Sequence, residues 1–288
     1  MPTLFIAAWL LGGVAAATPS RVAIVTELHG TSWASSGPAA RRPLASLDWI
    51  EENETIEVGP GSSVTLVFVS GARYELRSRA RARATSAGLT SQTGQVRTLT
   101  TLPALPVIPS IRDTEATTGG AVRIRGPVWP FFPSGAATTV ASHTVLRFAA
   151  LPGASVYEVV VVDNHEDVVF QASGPGTTVS VAGARLAPGT RYTWRVRALR
   201  DGDEIDARSD SFVTLDAQQS ALRERFLEHV ERTKEAALWA VVGLLDAELG
   251  LRYEARAELH KAVDGGIDAS LVAAPLTRLD KEFASIPD

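Results

Sequence analysis

The sequence LAPGTRYTWRVRA, residues 186–198, carries the strongest fold signal of the chain. Pro188 and Gly189 are typical turn residues, because proline fixes φ and glycine accepts positive φ. After this turn, Tyr192, Trp194 and Val196 alternate with polar residues. Such period-two alternation predicts a strand with one buried and one exposed face. The stretch therefore predicts a turn that leads into a long strand of a β-sheet.

Similar alternating runs lie on both sides of this strand at short, regular spacing. They predict about seven strands, with runs at 144–148, 156–162, 168–170, 178–181, 192–198 and 211–214. The stretch 186–198 closely resembles the signature of fibronectin type III domains around their penultimate strand. The resemblance covers residues 140–216 and implies an immunoglobulin-like sandwich, usually a spacer or adhesive module rather than a catalyst. It also implies that Tyr192 forms a tyrosine corner, with its hydroxyl turned back to the backbone.

Residues 21–101 show the same period, with short β-rich runs separated by glycine turns. This segment resembles the FecR domain of ferric-citrate-type regulators, through Gly30, Trp33, Leu44, Leu47, the turn 59–63, Val64, Leu66, Gly71, Tyr74 and Leu76. The resemblance implies a β-domain outside the inner membrane. In the regulators, this module is joined through a membrane helix to a cytoplasmic anti-sigma segment, and this sequence shows neither. Only the binding or assembly role is therefore expected here.

Residues 102–139 are rich in proline and predict a linker, stiffened by polyproline II geometry over 102–133. Three large aromatic residues lie among these prolines: Trp129, Phe131 and Phe132. We expect them to pack on a neighbouring domain, because most large aromatic side chains of soluble proteins are buried. Exposure to a partner is the alternative.

After Asp216 the apolar period changes to 3.6, which predicts that residues 217–288 are helical. The spacing of Trp239, Gly243 and Ala255 resembles a single tetratricopeptide repeat, with Asp246 where an aromatic residue is usual and Ile267 where proline is usual. One repeat cannot bury its apolar face alone. It needs further helices, the sandwich or another protein, so Trp239 and Tyr253 are candidate partner-binding residues. The pattern leaves open whether 217–250 is one helix or two.

The N-terminal segment predicts export. Residues 4–17 form an unbroken run of small and apolar residues, too short for the roughly 20 residues of a membrane-spanning helix. The run ends in Ala15-Ala16-Ala17, which predicts a signal peptide over 1–17. We therefore expect a periplasmic or secreted protein without stable membrane insertion after cleavage.

Composition argues against most catalytic classes. The chain has 288 residues and a net charge of −4, and no domain is basic enough to bind nucleic acid. It has no cysteine, so thiolate nucleophiles and thiolate metal sites are excluded. Its five histidines are scattered, and no nucleotide-binding or nucleophile-elbow motif occurs. The acidic runs 163–167 and 201–206 resemble calcium loops, but turn chemistry explains both. We predict no enzyme, no metal and no cofactor.

One charged pattern is a candidate ligand site. Arg77, Arg79, Arg81 and Arg83 alternate with small residues. On one extended strand they would form a row at intervals of roughly 6.6 Å, suited to an anionic glycan or lipopolysaccharide. A protective charged edge is the alternative.

The fold class predicted from these patterns is mainly β, with a FecR-like β-domain, a fibronectin type III-like sandwich and a C-terminal helical hairpin. The function predicted from them is a non-catalytic scaffold that engages envelope proteins through its helical end and β-domains. The alternative is a binder of the cell wall or of an anionic surface polymer that uses the arginine row.

Overall fold

The structure is a computed structural model that describes residues 20–37, 41–106, 129–135 and 137–286. Within these ranges the chain is mainly β-sheet, and four α-helices follow residue 216. The predicted fold class is thus confirmed as β-structure followed by a helical end. The predicted signal peptide 1–17 and most of the predicted linker lie outside the described residues. No helix of the described part is long and apolar enough to cross a membrane.

The first β unit contains ten strands in two antiparallel sheets. The strands are β1 (Arg21–His29), β2 (Ser32–Ser35), β3 (Arg42–Pro43), β4 (Trp49–Glu51), β5 (Thr55–Val58), β6 (Ser63–Phe68), β7 (Arg73–Arg77), β8 (Arg81–Thr85), β9 (Gly88–Thr93) and β10 (Val96–Thr98). One sheet has the order β10-β7-β6-β1-β4 and the other β3-β2-β5-β8-β9. Inward side chains such as Ile50, Leu66 and Ala82 form a core between them. The glycine-punctuated runs were therefore correctly predicted as strands.

The second β unit is a sandwich of a three-stranded and a five-stranded sheet. Its strands are β11 (Phe131–Phe132), β12 (Ala137–Thr139), β13 (Val145–Phe148), β14 (Val156–Val162), β15 (Val168–Gly174), β16 (Thr178–Ser180), β17 (Arg191–Arg200) and β18 (Asp203–Thr214). The sheet orders are β11-β13-β16 and β12-β18-β17-β14-β15. The distribution of the strands, with β13 and β16 in one sheet and β14, β15, β17 and β18 in the other, is that of a fibronectin type III-like sandwich.

The sandwich begins earlier than predicted. Residues 129–139 were assigned to the linker 102–139, yet β11 pairs with β13 and β12 pairs with β18. The aromatic residues between the prolines explain the difference, because they pack into the sandwich. The ring centres of Trp129 and Phe148 lie 5.9 Å apart, and those of Phe131 and Trp194 lie 5.3 Å apart. The indole of Trp194 also donates to the carbonyl of Pro133 at 2.8 Å. Packing of these aromatic residues, rather than exposure, is confirmed.

The predicted tyrosine corner is present. The hydroxyl of Tyr192 accepts a hydrogen bond from the backbone N–H of Ala187 at 2.8 Å, and the ring stacks on Phe212 at 5.5 Å. Tyr192 and Phe212 are both buried. The bond fixes the turn at Pro188 and Gly189 against the start of β17.

We expect Tyr192→Phe to lower the free energy of unfolding by about 1–2 kcal/mol, because the N–H of Ala187 loses its acceptor while the ring stays packed. Urea denaturation followed by circular dichroism measures this loss. Val168→Ala, at a side chain that is 60% exposed, is the control. A loss no larger than that of the control would contradict the role of the corner.

The C-terminal part contains four α-helices: α1 (Ala217–Thr233), α2 (Ala236–Leu249), α3 (Arg252–Asp264) and α4 (Ala273–Phe283). Residues 217–250 are therefore two helices, since Lys234 adopts a left-handed conformation that ends α1. Helices α2 and α3 form a close hairpin. A Cβ atom at Gly243 would lie 2.7 Å from Cγ of Leu259, so glycine is required at this crossing.

The helices share one hydrophobic core with both β units. Ile24 of β1 and Val67 of β6 are paired across the sheet and fully buried, and they belong to the same core cluster as Trp239 of α2. On the sandwich side, Phe132 contacts Phe283 with ring centres 5.0 Å apart. Strand β1 is consequently buried on both faces. The helical end thus joins the two β units into one packed body.

Candidate binding surfaces and the buried ion cluster

The four predicted arginines do not form one row. Strand β7 ends at Arg77, and Arg79 has a φ of 61°, which turns the chain before β8 begins at Arg81. The two strands belong to different sheets. The prediction of a single extended strand is wrong, because a left-handed residue breaks the alternation between Arg77 and Arg81. Ligand binding by these arginines stays a prediction.

The structure instead groups Arg81 and Arg83 with residues that the sequence did not connect. Ala82 and Ala84 of β8 are buried, so Arg81 and Arg83 lie on the outer face of the sheet. Across neighbouring strands, Arg81 pairs with Glu57, and Glu57 pairs with Trp33.

The guanidinium of Arg41 lies 5.8 Å from the centre of the Trp33 ring on the same side. We call Trp33, Arg41, Arg81 and Arg83 the basic face. Arg41 and Arg81 both contact Glu57, which is the one carboxylate that pairs with the basic face among the described residues. The side chains of Arg41 and Arg81 remain more than half exposed, at 58% and 52%. Arginine with an adjacent aromatic ring suits a sugar that carries carboxylate or phosphate.

Of the two predicted partner-binding residues, Trp239 is buried and Tyr253 is partly buried. Trp239 is 8% exposed and packs in the shared core, with Nζ of Lys261 4.2 Å from its ring centre. The ring of Tyr253 lies between the guanidinium of Arg147, at 3.7 Å, and the ring of Phe283, at 5.5 Å. Internal packing therefore already accounts for both aromatic side chains.

A buried ion cluster joins three helices. Nε and Nη2 of Arg223 on α1 donate to the carboxylate of Asp246 on α2 at 2.6–3.0 Å. Nη2 also donates to Oε1 of Glu258 on α3 at 2.8 Å. Glu254 on α3 contributes a second glutamate carboxyl, whose Oε2 atom is buried without a hydrogen-bond partner among the described residues. One arginine thus holds together carboxylates from two other helices.

Sequence reasoning noted Asp246 only as a departure from the tetratricopeptide pattern. Its partner Arg223 lies 23 residues earlier and its neighbour Glu258 lies 12 residues later. The signal available in the sequence was an acid inside the apolar run of α2. An acid there requires a buried cation, because an unpaired buried charge is very costly.

Burial raises the pKa of the Glu258 carboxyl well above its usual value, and the nearby charge of Asp246 raises it further. Burial also raises the pKa of Glu254. A carboxyl whose pKa is higher in the folded state binds its proton more tightly there. Its contribution to stability is therefore complete below about pH 4.5 and is lost as pH rises through the folded-state pKa.

Glu258→Gln mimics the protonated carboxyl and does not lose a proton as pH rises. We therefore expect the free energy of unfolding of this variant, relative to that of the unmodified protein, to increase between pH 5 and pH 8. Urea midpoints at each pH measure the difference between the two proteins. Glu228→Gln, on the exposed side of α1, is the control. A difference that falls with pH, or that rises no more steeply than in the control, would contradict the assignment.

The first acidic run forms a turn, whereas the second begins in the turn at 201–202 and continues into the start of β18. In the first, Oδ1 of Asp163 accepts from the backbone N–H groups of His165 and Asp167 at 2.8 and 3.0 Å. In the second, Oδ1 of Asp206 accepts from Arg208 at 2.8 Å. Among the described residues, no group of three or more acidic, histidine or cysteine side chains is arranged to hold a metal ion.

No family model and no curated protein matches this chain. Among solved structures, it is similar to FN3tt with 21% identity and a TM-score of 0.25, covering 30% of this chain and 88% of FN3tt. It is similar to the FN1–FN3 domains of chicken CNTN1 with 9% identity and a TM-score of 0.25, covering 65% of this chain and 56% of that one. PorZ, an essential bacterial surface component of the type-IX secretion system of Porphyromonas gingivalis, matches with 11% identity and a TM-score of 0.22, covering 62% of this chain and 26% of that one. These TM-scores are low, so the fibronectin type III-like fold is assigned from the strand order and the tyrosine corner of the chain itself.

Proposed function

We propose that this protein is a non-catalytic scaffold of the cell envelope, located in the periplasm or secreted, that presents two β units in a fixed arrangement to envelope proteins. We also propose that the first β unit is a FecR-like domain and that the helical end is tetratricopeptide-like, as the sequence resemblances imply. The observation that carries it is the shared core, in which the helical end packs on both β units. A linker of helices without such a core would let the two β units move independently.

Polar contacts support the fixed arrangement. Nη1 of Arg21 on β1 donates to both carboxylate oxygens of Glu248 on α2 at 2.9 Å, and Arg73 of β7 contacts Glu235, which precedes α2, at 3.0 Å. On the other side, Arg252 of α3 donates to the carbonyl of Ser134 at 2.6 Å. Each β unit is thus tied to the helices by charged groups at the border of the core.

Photo-crosslinking in living cells tests the scaffold role. A photoreactive amino acid is placed at Val168 on the sandwich, at Leu271 on the helical end and at Arg83 on the first β unit, all exposed positions. Lysine-directed reagents would sample only the helical end, because Lys234, Lys261 and Lys281 are the chain's only lysines. Reproducible envelope-protein adducts from at least two of these positions are expected. The absence of protein adducts at all three would contradict the scaffold role.

The basic face favours a second function, the binding of an anionic surface polymer such as a uronate-containing glycan or lipopolysaccharide. Within the described part of the chain, its arginines outnumber the one carboxylate that pairs with them, so a net positive surface with an aromatic ring faces solvent. We expect Arg81→Ala with Arg83→Ala to abolish retention of the protein on immobilised alginate at about 0.1 M salt, where exposed charges act over roughly 10 Å.

The matched control is Arg191→Ala with Arg195→Ala, which removes two charges from the outer face of β17. Equal loss in both variants would show that total charge, rather than the basic face, governs retention. Full retention in the Arg81 and Arg83 variant would eliminate this second function.

A further inference from the structure

A groove lies between α1 and the sandwich. Its volume is about 350 Å³. The sandwich wall is formed by the short 3-10 helix at Ala141–His143, with Val140 before it, and by Pro188. The helical wall is one side of α1, from Ser220 to Glu231, with Leu227 in its middle. The groove therefore has a largely apolar wall on one side and a helix on the other.

The helical wall carries three acids. Glu224, Glu228 and Glu231 line the groove, are exposed, and form no ion pair with any residue in the described ranges. By contrast, the exposed Glu248 of α2 is paired with Arg21. The helical wall thus presents unpaired negative charge beside apolar surface.

The helical wall also contains a largely buried arginine. Arg223 lines the groove, although its side chain is only 10% exposed. Its ion pairs with Asp246 and Glu258 use Nε and Nη2. Nη1 takes part in none of these bonds, so its N–H groups remain to meet an acceptor such as a peptide carbonyl.

We propose that this groove binds an extended segment of a partner polypeptide in which basic and apolar residues alternate. Lysine or arginine side chains would pair with the glutamates of α1, and their apolar stems would cover Leu227. The alternate apolar side chains would contact Val140 and Pro188. This inference names a partner class for one surface of the proposed scaffold, and so it rests on that function.

The spacing of the acids matches such a segment. Glu224 and Glu228 are four residues apart, which is about 6 Å along a helix. Alternate residues of an extended peptide are about 6.6 Å apart and point to the same side. The stretch from Ser220 to Glu231 spans about 16 Å, the length of about five extended residues. A five-residue peptide with lysines at its second and fourth positions therefore fits both charge and length.

Fluorescence anisotropy with the whole mature chain tests the proposal. The probe is a fluorescein-labelled peptide amide of sequence VKVKV, and the comparison probe is VEVEV. We expect VKVKV to bind and VEVEV not to bind. The triple variant Glu224→Gln, Glu228→Gln and Glu231→Gln should lower the affinity for VKVKV about tenfold or more, and 0.5 M salt should lower it as well. Ala141→Arg, which adds bulk and positive charge to the groove, is expected to weaken binding similarly without burying any new group.

The matched control removes three exposed acids elsewhere, through Glu166→Gln, Asp201→Asn and Asp203→Asn at the sandwich hairpins. Three results would overturn the proposal: no binding of VKVKV, equal binding of VEVEV, or equal weakening by the control and the groove variants. If envelope-protein crosslinks persist while the peptide does not bind, the groove inference is wrong and the scaffold function is unaffected. If the crosslinks are also absent, both the groove inference and the scaffold function are wrong.

Discussion

Arg223→Ala is expected to lower the free energy of unfolding by about 3–5 kcal/mol, because it leaves buried carboxylates without their cation. Asp246 is fully buried and Glu258 is 4% exposed, so water cannot replace the lost guanidinium. The loss is measured by urea denaturation at pH 7. Arg225→Ala on the same helix is the control, since that side chain is exposed and, among the described residues, donates only to the carbonyl of Ala221 in its own helix. The control should change stability by no more than about 0.5 kcal/mol.

A rescue variant separates the lost ion pair from lost packing. Replacing Arg223→Met, Asp246→Leu and Glu258→Met removes the arginine together with the two carboxyls that it contacts, and buried ion clusters often tolerate such replacement. We expect this variant to recover most of the stability that Arg223→Ala loses. A triple variant as unstable as the single one would mean that the shape of Arg223, and not its charge, holds the helices together.

Trp239→Ala is expected to cost about 3–5 kcal/mol as well, because it leaves a large cavity where α2 packs in the shared core. The same substitution would be nearly silent for stability if Trp239 served only as a partner-binding surface. Far-UV circular dichroism during urea denaturation measures the effect. Leu271→Ala is the control, since Leu271 is 36% exposed on the same part of the chain. Unchanged stability together with lost envelope crosslinks would instead support the partner-binding interpretation of Trp239.

The strands were predictable because their signal is local. Alternation over a few residues, with turn residues between the runs, was enough to place β14 and β17. The backbone contact of the Tyr192 hydroxyl was implied only by the resemblance to fibronectin type III domains. The same rule failed at Arg79, where alternation continues through a turn that carries neither glycine nor proline. A charged residue in a left-handed conformation leaves no trace in a period-two pattern.

The sites were less predictable because they depend on contacts between distant residues. Helix α2 is apolar nearly all round, so its sequence does not reveal that Trp239 faces the interior. The basic face combines Arg81 with Trp33, which are far apart in the chain and meet only through the order β2-β5-β8. The groove likewise needs the sandwich to meet α1. Each of these sites follows from strand order and helix docking, which no short window of sequence contains.

Because Ile24 and Val67 are buried beneath α2, truncated fragments of this protein expose apolar surface. A fragment ending at residue 216 would retain the first β unit but turn part of its interior into an open apolar surface. Such a fragment would adhere to unrelated proteins and membranes. Binding observed with it would come from the apolar surface exposed by truncation and not from a surface of the intact protein. Deletion mapping of this chain therefore risks false partners, whereas single substitutions in the intact protein avoid them.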